Sequence, residues 1–301
     1  MEGLREFLKS HRTSDKKITN FISLLGGKFF IPEAEKEQFF ELYSKAAPHF
    51  TEQCYVPLVY KVPNISLQPL MIDIDLRTTE LPGIDIIPHS KFAQCLAREL
   101  ARITKTTGVS YFIVTKDNPY KKKFEGTLCF ASGAHIYFPH IRIPLSLAKH
   151  MLEYGVSQCL SYYNQFQPIN EPTDIVDSRI PKRSNGLCLL ASFKGPKTGG
   201  RYAVQLIGNT YADGRVEEQI MPTDDFFSNL PQIMASTYGF LWEDGEPTPQ
   251  DEEKVQSVVV PGKTLPPKRI EPVKQKEPFN LKKFLKYTKC HTPSHAEWLQ
   301  I

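Results

Sequence analysis

Seven consecutive residues, Leu70-Met71-Ile72-Asp73-Ile74-Asp75-Leu76, constrain this chain more than any others. All but the two aspartates are large and apolar, the composition of a buried strand, and aspartate is depleted in strands. Successive strand side chains point to opposite faces, so Asp73 and Asp75 share a face, with two residues spanning about 6.5–7 Å of backbone. Carboxylates so placed can converge on two divalent cations about 3.5–4 Å apart, the arrangement used for in-line phosphoryl transfer. Magnesium and manganese favour such oxygen ligands. Two alternatives stay open at this point. Either the pair lines the solvated face of an edge strand, or it is the D-x-D of a glycosyltransferase that holds a nucleotide diphosphate through manganese.

The surrounding pattern is α/β to α+β. Residues 69–76, 111–115, 134–138, 186–193 and 202–207 read as short buried strands, and 90–104 and 145–163 carry apolar residues at helical spacing. The interval from Leu70 to Thr115 has the length of a right-handed strand–helix–strand crossover. Residues 1–50 read as a helical segment, broken at Leu25-Gly26-Gly27 and restarting at Ile31-Pro32-Glu33. Residues 51–242 form the expected catalytic domain. From 243 to 278 seven prolines stand among acids and lysines, which marks a linker. Residues 279–301 return to helical character with Lys282, Lys283, Lys286 and Lys289, as a basic tail or the start of a further domain.

Two further clusters bear chemistry. In Ser132-Gly133-Ala134-His135, small residues precede a histidine that opens an apolar strand. Small side chains let a phosphate reach the backbone, with His135 donating to it, although a core histidine gives the same pattern. Asp174-Ile175-Val176-Asp177 is followed by Arg183 and Lys194, which suit a triphosphate or simply flank a strand.

In order and spacing these three clusters resemble the catalytic core of the archaeo-eukaryotic primase superfamily, in particular the primase portion of primase-helicases of large DNA viruses. The resemblance covers roughly residues 50–210, and Gly26-Gly27-Lys28-Phe29-Phe30-Ile31-Pro32 is similar to the entry segment of the viral branch. It implies a βαβ unit paired with an RRM-like unit, with the N-terminal helices on its flank. Asp73, Asp75 and Asp177 would be catalytic ligands of two Mg²⁺ or Mn²⁺ ions, with Asp174 competing for the third place. Ser132 or Gly133, His135, Arg183 and Lys194 would bind a nucleoside triphosphate. The chain departs from the family by placing Gly133 two residues before the histidine and Cys188 where an arginine is common.

For a single-stranded DNA template, Lys121, Lys122 and Lys123 near Asn118-Pro119, together with Lys182 and Arg201, are the candidate contacts, with Tyr120 available for stacking. The net charge of +4 is too small to identify a partner by itself. The six cysteines form no C-x-x-C pair, which argues against a structural zinc site and fits a reducing compartment. No run approaches the ~18–20 apolar residues of a membrane span, and the N-terminus lacks the pattern of a signal peptide. A soluble intracellular protein is expected, in host cytoplasm or nucleus if viral. No G-x-x-x-x-G-K-[ST] loop occurs, so helicase action would come from a partner in cis or trans. The rival to catalysis within the family is a primase-like module that binds DNA or docks a helicase without chemistry.

Overall fold

The computed structural model describes residues 1–16, 18–51, 54–60, 67–82, 85–116, 118–177, 188–193 and 200–242. The linker, the tail and the basic residues Lys182, Arg183 and Lys194 lie outside them.

The N-terminal region opens with α1 (Glu2–Ser10), then β1 (Phe21–Ser23) and β2 (Lys28–Phe29), α2 (Lys36–Ala46) and β3 (Leu58–Tyr60). The break at Leu25-Gly26-Gly27 is a hairpin turn and not a gap between helices. Gly26 and Gly27 take φ of 97° and 121°, the left-handed region that glycine enters without steric cost, and Phe21 faces Phe29 across the turn. β3 completes a three-stranded sheet in the order β2-β1-β3. The purely helical expectation for residues 1–50 is therefore corrected. These strands are too short for period-2 alternation to register in sequence.

The main sheet is built from β4 (Leu67–Thr78), β5 (Gly108–Lys116), β6 (Tyr120–Phe124), β7 (Thr127–Pro144), β8 (Tyr202–Tyr211) and β9 (Val216–Ile220). Its order is β4-β7-β5-β8-β9, with β6 also paired to β7. α3 (Ile87–Thr104) carries the chain from β4 to β5, and both strands run antiparallel to β7 between them. The expected crossover is thus a split one, two parallel strands with a third inserted. α4 (Leu145–Tyr163) follows β7, and α5 (Pro172–Ile175), α6 (Thr223–Ser228) and α7 (Leu230–Tyr238) complete the helices.

Residues 186–193, read as a strand, are not one where they are described. Cys188 and Phe193 make only isolated bridges, to Val59 and Arg201, and Ala191 has φ of 61°. The stretch from Cys188 to Phe193 is buried throughout, so its apolar composition reflects a core-filling turn.

Alternation along β4 divides the protein into layers. Leu70, Ile72, Ile74 and Leu76 are buried beneath α3 and α4 with Phe92, Leu96 and Met151. On the other face Met71 joins Phe112, Val114 and Tyr137 in a second core shared with α1, α2, the small sheet and α7. That cover reaches Met71 and stops short of Asp73 and Asp75, whose side chains retain 23% and 34% of their exposure. The carboxylates sit where one layer of the fold ends.

On the helical face His89 is buried, with Nδ1 3.0 Å from the Tyr163 hydroxyl. Burial pulls this imidazole down to about 4, against an opposing pull from Asp85. Above pH 6.5 His89 is neutral in both folded and unfolded chains. Between 6.5 and 4 only the unfolded chain takes the proton, so stability falls as pH drops, by about 3 kcal/mol across that window. Urea midpoints measured from pH 7 to 4 should decline more steeply for the parent than for His89→Gln. Parallel slopes would refute this role.

Candidate active site

β4 and β7 set the register of the site. Asp73 faces His135 and Asp75 faces Gly133. His135 Nε2 lies 3.4 Å from Asp73 Oδ1, and the imidazole stacks on Tyr202 at 4.5 Å between centroids. His135 is 4% exposed, so ring plane and position are held by packing as well as by the carboxylate. Asp75 Oδ2 accepts from Arg77 Nη2 at 3.0 Å. Arg77 lies two residues on, on the same face, with its guanidinium 4.2 Å from the Phe124 ring centroid.

β4 is the edge of the sheet, and a strip of chain closes that edge. The Ile169 N–H donates to the Arg77 carbonyl at 2.8 Å, Val176 bridges Ile74, and the Asp177 N–H donates to the Asp73 carbonyl at 3.0 Å. Asn170, 5% exposed, pairs with the edge through both ends of its amide. Oδ1 accepts from the Arg77 N–H at 3.0 Å, and Nδ2 donates to the Asp75 carbonyl at 2.8 Å. The strip occupies the position of the fourth strand in an RRM-like unit, antiparallel to the first, and brings the Asp177 backbone to Asp73. Asp174 is exposed on α5.

Two small-residue positions differ in what they do. Gly133 lies on the carboxylate face, where an added Cβ would collide with the Ile74 carbonyl oxygen. Ser132 pairs with Leu76 and lies on the opposite face, lining a cleft of about 240 Å³ with His89, Thr115 and Gln205. The pairing of β7 with β5 stops at Ala134, and its pairing with β6 begins at Ala131. Ser132 and Gly133 are therefore laddered to β4 alone, opposite the Asn118-Pro119 turn. This cleft lies on the helical side of the sheet, so the carboxylates, and not a cavity, mark the candidate site.

Strand alternation also divides the lysine run. Lys122 shares a face with Tyr120 and Phe124, the carboxylate face, whereas Lys121 and Lys123 point the other way, Lys121 toward the Phe130 ring at 5.9 Å. Arg201 is turned to the Ala47 and Pro48 carbonyls, at 3.5 and 3.2 Å, and lies over the Phe227 ring. Its observed contacts are internal. Cys188 is 7% exposed within the second core, where an arginine would be desolvated.

The sequence reading missed Arg77, Asn170 and Tyr202. Arg77 alone carried a signal, since it continues the Asp73, Asp75 alternation. Lys116 Nζ lies over the Tyr120 and Tyr202 rings, at 4.4 and 5.1 Å. Burial pushes the Tyr120 phenol up, and the charge of Asp75 adds to this while Arg77 opposes it.

Among the described residues no three His, Cys, Asp or Glu side chains are grouped so as to hold a metal ion. Asp75 is drawn to Arg77 and Asp73 to His135, each toward its own partner. The donors themselves suit a hard divalent cation, being carboxylate oxygens on one strand face. Positive charge, the Arg77 guanidinium, already stands against Asp75.

Residues 20–207, more than half of the chain, match the family model described as the C962R protein N-terminal AEP domain, AEP denoting archaeo-eukaryotic primase. The chain belongs to this family. The match runs from β1 into β8 and so contains the two aspartates, His135 and the strip that ends at Asp177. The protein is thus a primase-type domain of the kind found in viral primase-helicases, and its mixed α/β fold agrees with a primase core. No curated protein matches the chain. Among the described residues no helix is long and apolar enough to cross a membrane.

The strip makes a prediction of its own. Asn170→Ala removes two buried hydrogen bonds and should cost about 2 kcal/mol. It should also lower nucleotide incorporation more than a distant core substitution of equal cost, because it loosens the segment that carries Asp177. Thermal unfolding and primer synthesis measured side by side test this. Activity that simply tracks stability would leave Asn170 a purely structural residue.

Proposed function

We propose that this domain makes or extends primers on single-stranded DNA by template-directed nucleotidyl transfer in viral-type replication. One observation carries the reading. Asp73, Asp75 and His135 stand in register on two neighbouring strands of a family-matched sheet, with the Asp177 backbone hydrogen-bonded to Asp73.

Asp73, Asp75 and Asp177 would hold Mg²⁺ or Mn²⁺, whose bound charge lowers the pKa of an attacking hydroxyl and offsets that of a triphosphate. The rest falls to the chain. His135, packed on Tyr202, would donate to a phosphate oxygen from Nε2, the nitrogen that stands beside Asp73. The Gly133 backbone, bare of side chain, lets the triphosphate come close. Lys116 adds positive charge on the same face, and Arg183 and Lys194 complete the phosphate contacts. Lys122, with Lys182, meets the template backbone, a contact expected to be salt-sensitive and tolerant of sequence. Tyr120 offers a ring for a base. A replicative helicase, in cis or in trans, is the natural partner.

A second reading has one observation in its favour. Arg77 neutralises Asp75, as it would in a module that keeps the shape of a primase and binds DNA without chemistry. Primer synthesis on single-stranded DNA, with labelled nucleotides and Mn²⁺ or Mg²⁺, decides between them. Template-dependent product supports the enzyme. DNA binding without product or nucleotide binding supports the module.

A further inference from the structure

Arg77 has no part in the reaction as set out above, yet it is built into the site. Its side chain is 13% exposed, lies on the Phe124 ring and reaches Asp75 Oδ2 through Nη2 alone. Nε is buried, and among the described residues no hydrogen-bond acceptor meets it. A guanidinium is a planar fork suited to two oxygens at once, on a carboxylate or on a phosphate. Here one prong is used and the other is buried without an acceptor, which costs free energy. The Asp75 pairing is therefore an incomplete use of the group. A divalent cation held by Asp75 would also compete with the guanidinium for the same oxygen.

We propose that Arg77 is an exchange cation. It neutralises Asp75 while nucleotide is absent and moves to a triphosphate oxygen when nucleotide arrives, releasing the carboxylate. The Phe124 ring supplies a face along which the guanidinium turns. Nucleotide and metal then bind with positive coupling, each favouring the state in which Arg77 has left Asp75. The inference rests on the nucleotidyl-transfer reading, because it needs Asp75 to be a ligand.

The test measures Mn²⁺ binding by calorimetry and by the free-ion paramagnetic resonance signal, with and without an α,β-methylene nucleoside triphosphate. Parent protein, Asp75→Asn, Arg77→Met and Arg77→Lys are compared. Met retains the packing on Phe124 without charge, and Lys restores charge without the fork. Circular dichroism and thermal midpoints establish that each is folded.

In the parent, the nucleotide analogue should tighten Mn²⁺ binding. Arg77→Met should bind Mn²⁺ alone about tenfold more tightly than the parent and lose most of the enhancement by nucleotide. Arg77→Lys should return Mn²⁺ affinity toward that of the parent. Unchanged or weaker Mn²⁺ binding by Arg77→Met, with undiminished enhancement, overturns the exchange while leaving the primase reading intact. Parent protein that binds no Mn²⁺ even with the nucleotide analogue present, or binds it equally after Asp75→Asn, overturns both.

Discussion

Asp73→Ala and Asp75→Ala each reduce nucleotide incorporation by a factor on the order of 10³ or more, the scale on which charge-stabilising groups act at a reacting centre. Neither is expected to unfold the protein. Both side chains stand where the covering layer ends, and the cores on either side of the sheet are built from their neighbours Leu70, Met71, Ile72, Ile74 and Leu76. Asp75→Ala leaves Arg77 without its carboxylate. The Arg77 side chain is largely buried, so the loss in stability is about 1–3 kcal/mol. Asp73→Ala removes the group facing His135 and leaves the ring stacked on Tyr202. Labelled-nucleotide primer synthesis gives the rate, and thermal unfolding gives the control. Full activity in either folded variant would end the assignment of these residues.

The second large effect belongs to Gly133. A methyl group there meets a backbone atom, the Ile74 carbonyl oxygen, which has no rotamer by which to move aside. Gly133→Ala must push β4 away from β7 at the point where Asp75 is presented. Overpacking usually costs about 1–3 kcal/mol, and a clash with rigid backbone lies at or beyond the top of that range. Both stability and incorporation should fall sharply. Gly126→Ala is the contrasting case. With φ of 84° and open space around it, it meets only the conformational penalty, about 1 kcal/mol. A Gly133→Ala protein as stable as Gly126→Ala would show that the two strands separate easily.

What the sequence made legible is what alternation and helical spacing encode. The strand of Asp73 and Asp75, helix α3 and the full extent of α4 follow from such patterns, and so does the shared face of the two aspartates. The same rule, applied to strand β6, would have separated Lys122 from Lys121 and Lys123. That required knowing that the run is a strand, and three consecutive lysines look alike in a strand and in a turn. The residues 188–193 misled because complete burial looks the same in a turn as in a strand. Asn170 was out of reach: its amide binds backbone 93 and 95 residues away, and no local pattern records a partner at that separation. Tyr202 and its stacking on His135 depend on β8 lying beside β5, a pairing that sheet order alone reveals.

The strip along β4 has a consequence beyond catalysis. An uncovered edge strand offers its backbone groups to any other strand, and β4 is long, with buried apolar residues at alternate positions. By lying against Ile74 and Asp73, and by seating the Asn170 amide between Asp75 and Arg77, residues 169–177 occupy the backbone groups through which copies of the chain would otherwise adhere. The segment proposed to supply a third carboxylate thus also shields the sheet edge against aggregation. A change that frees it lowers the yield of soluble protein together with its activity.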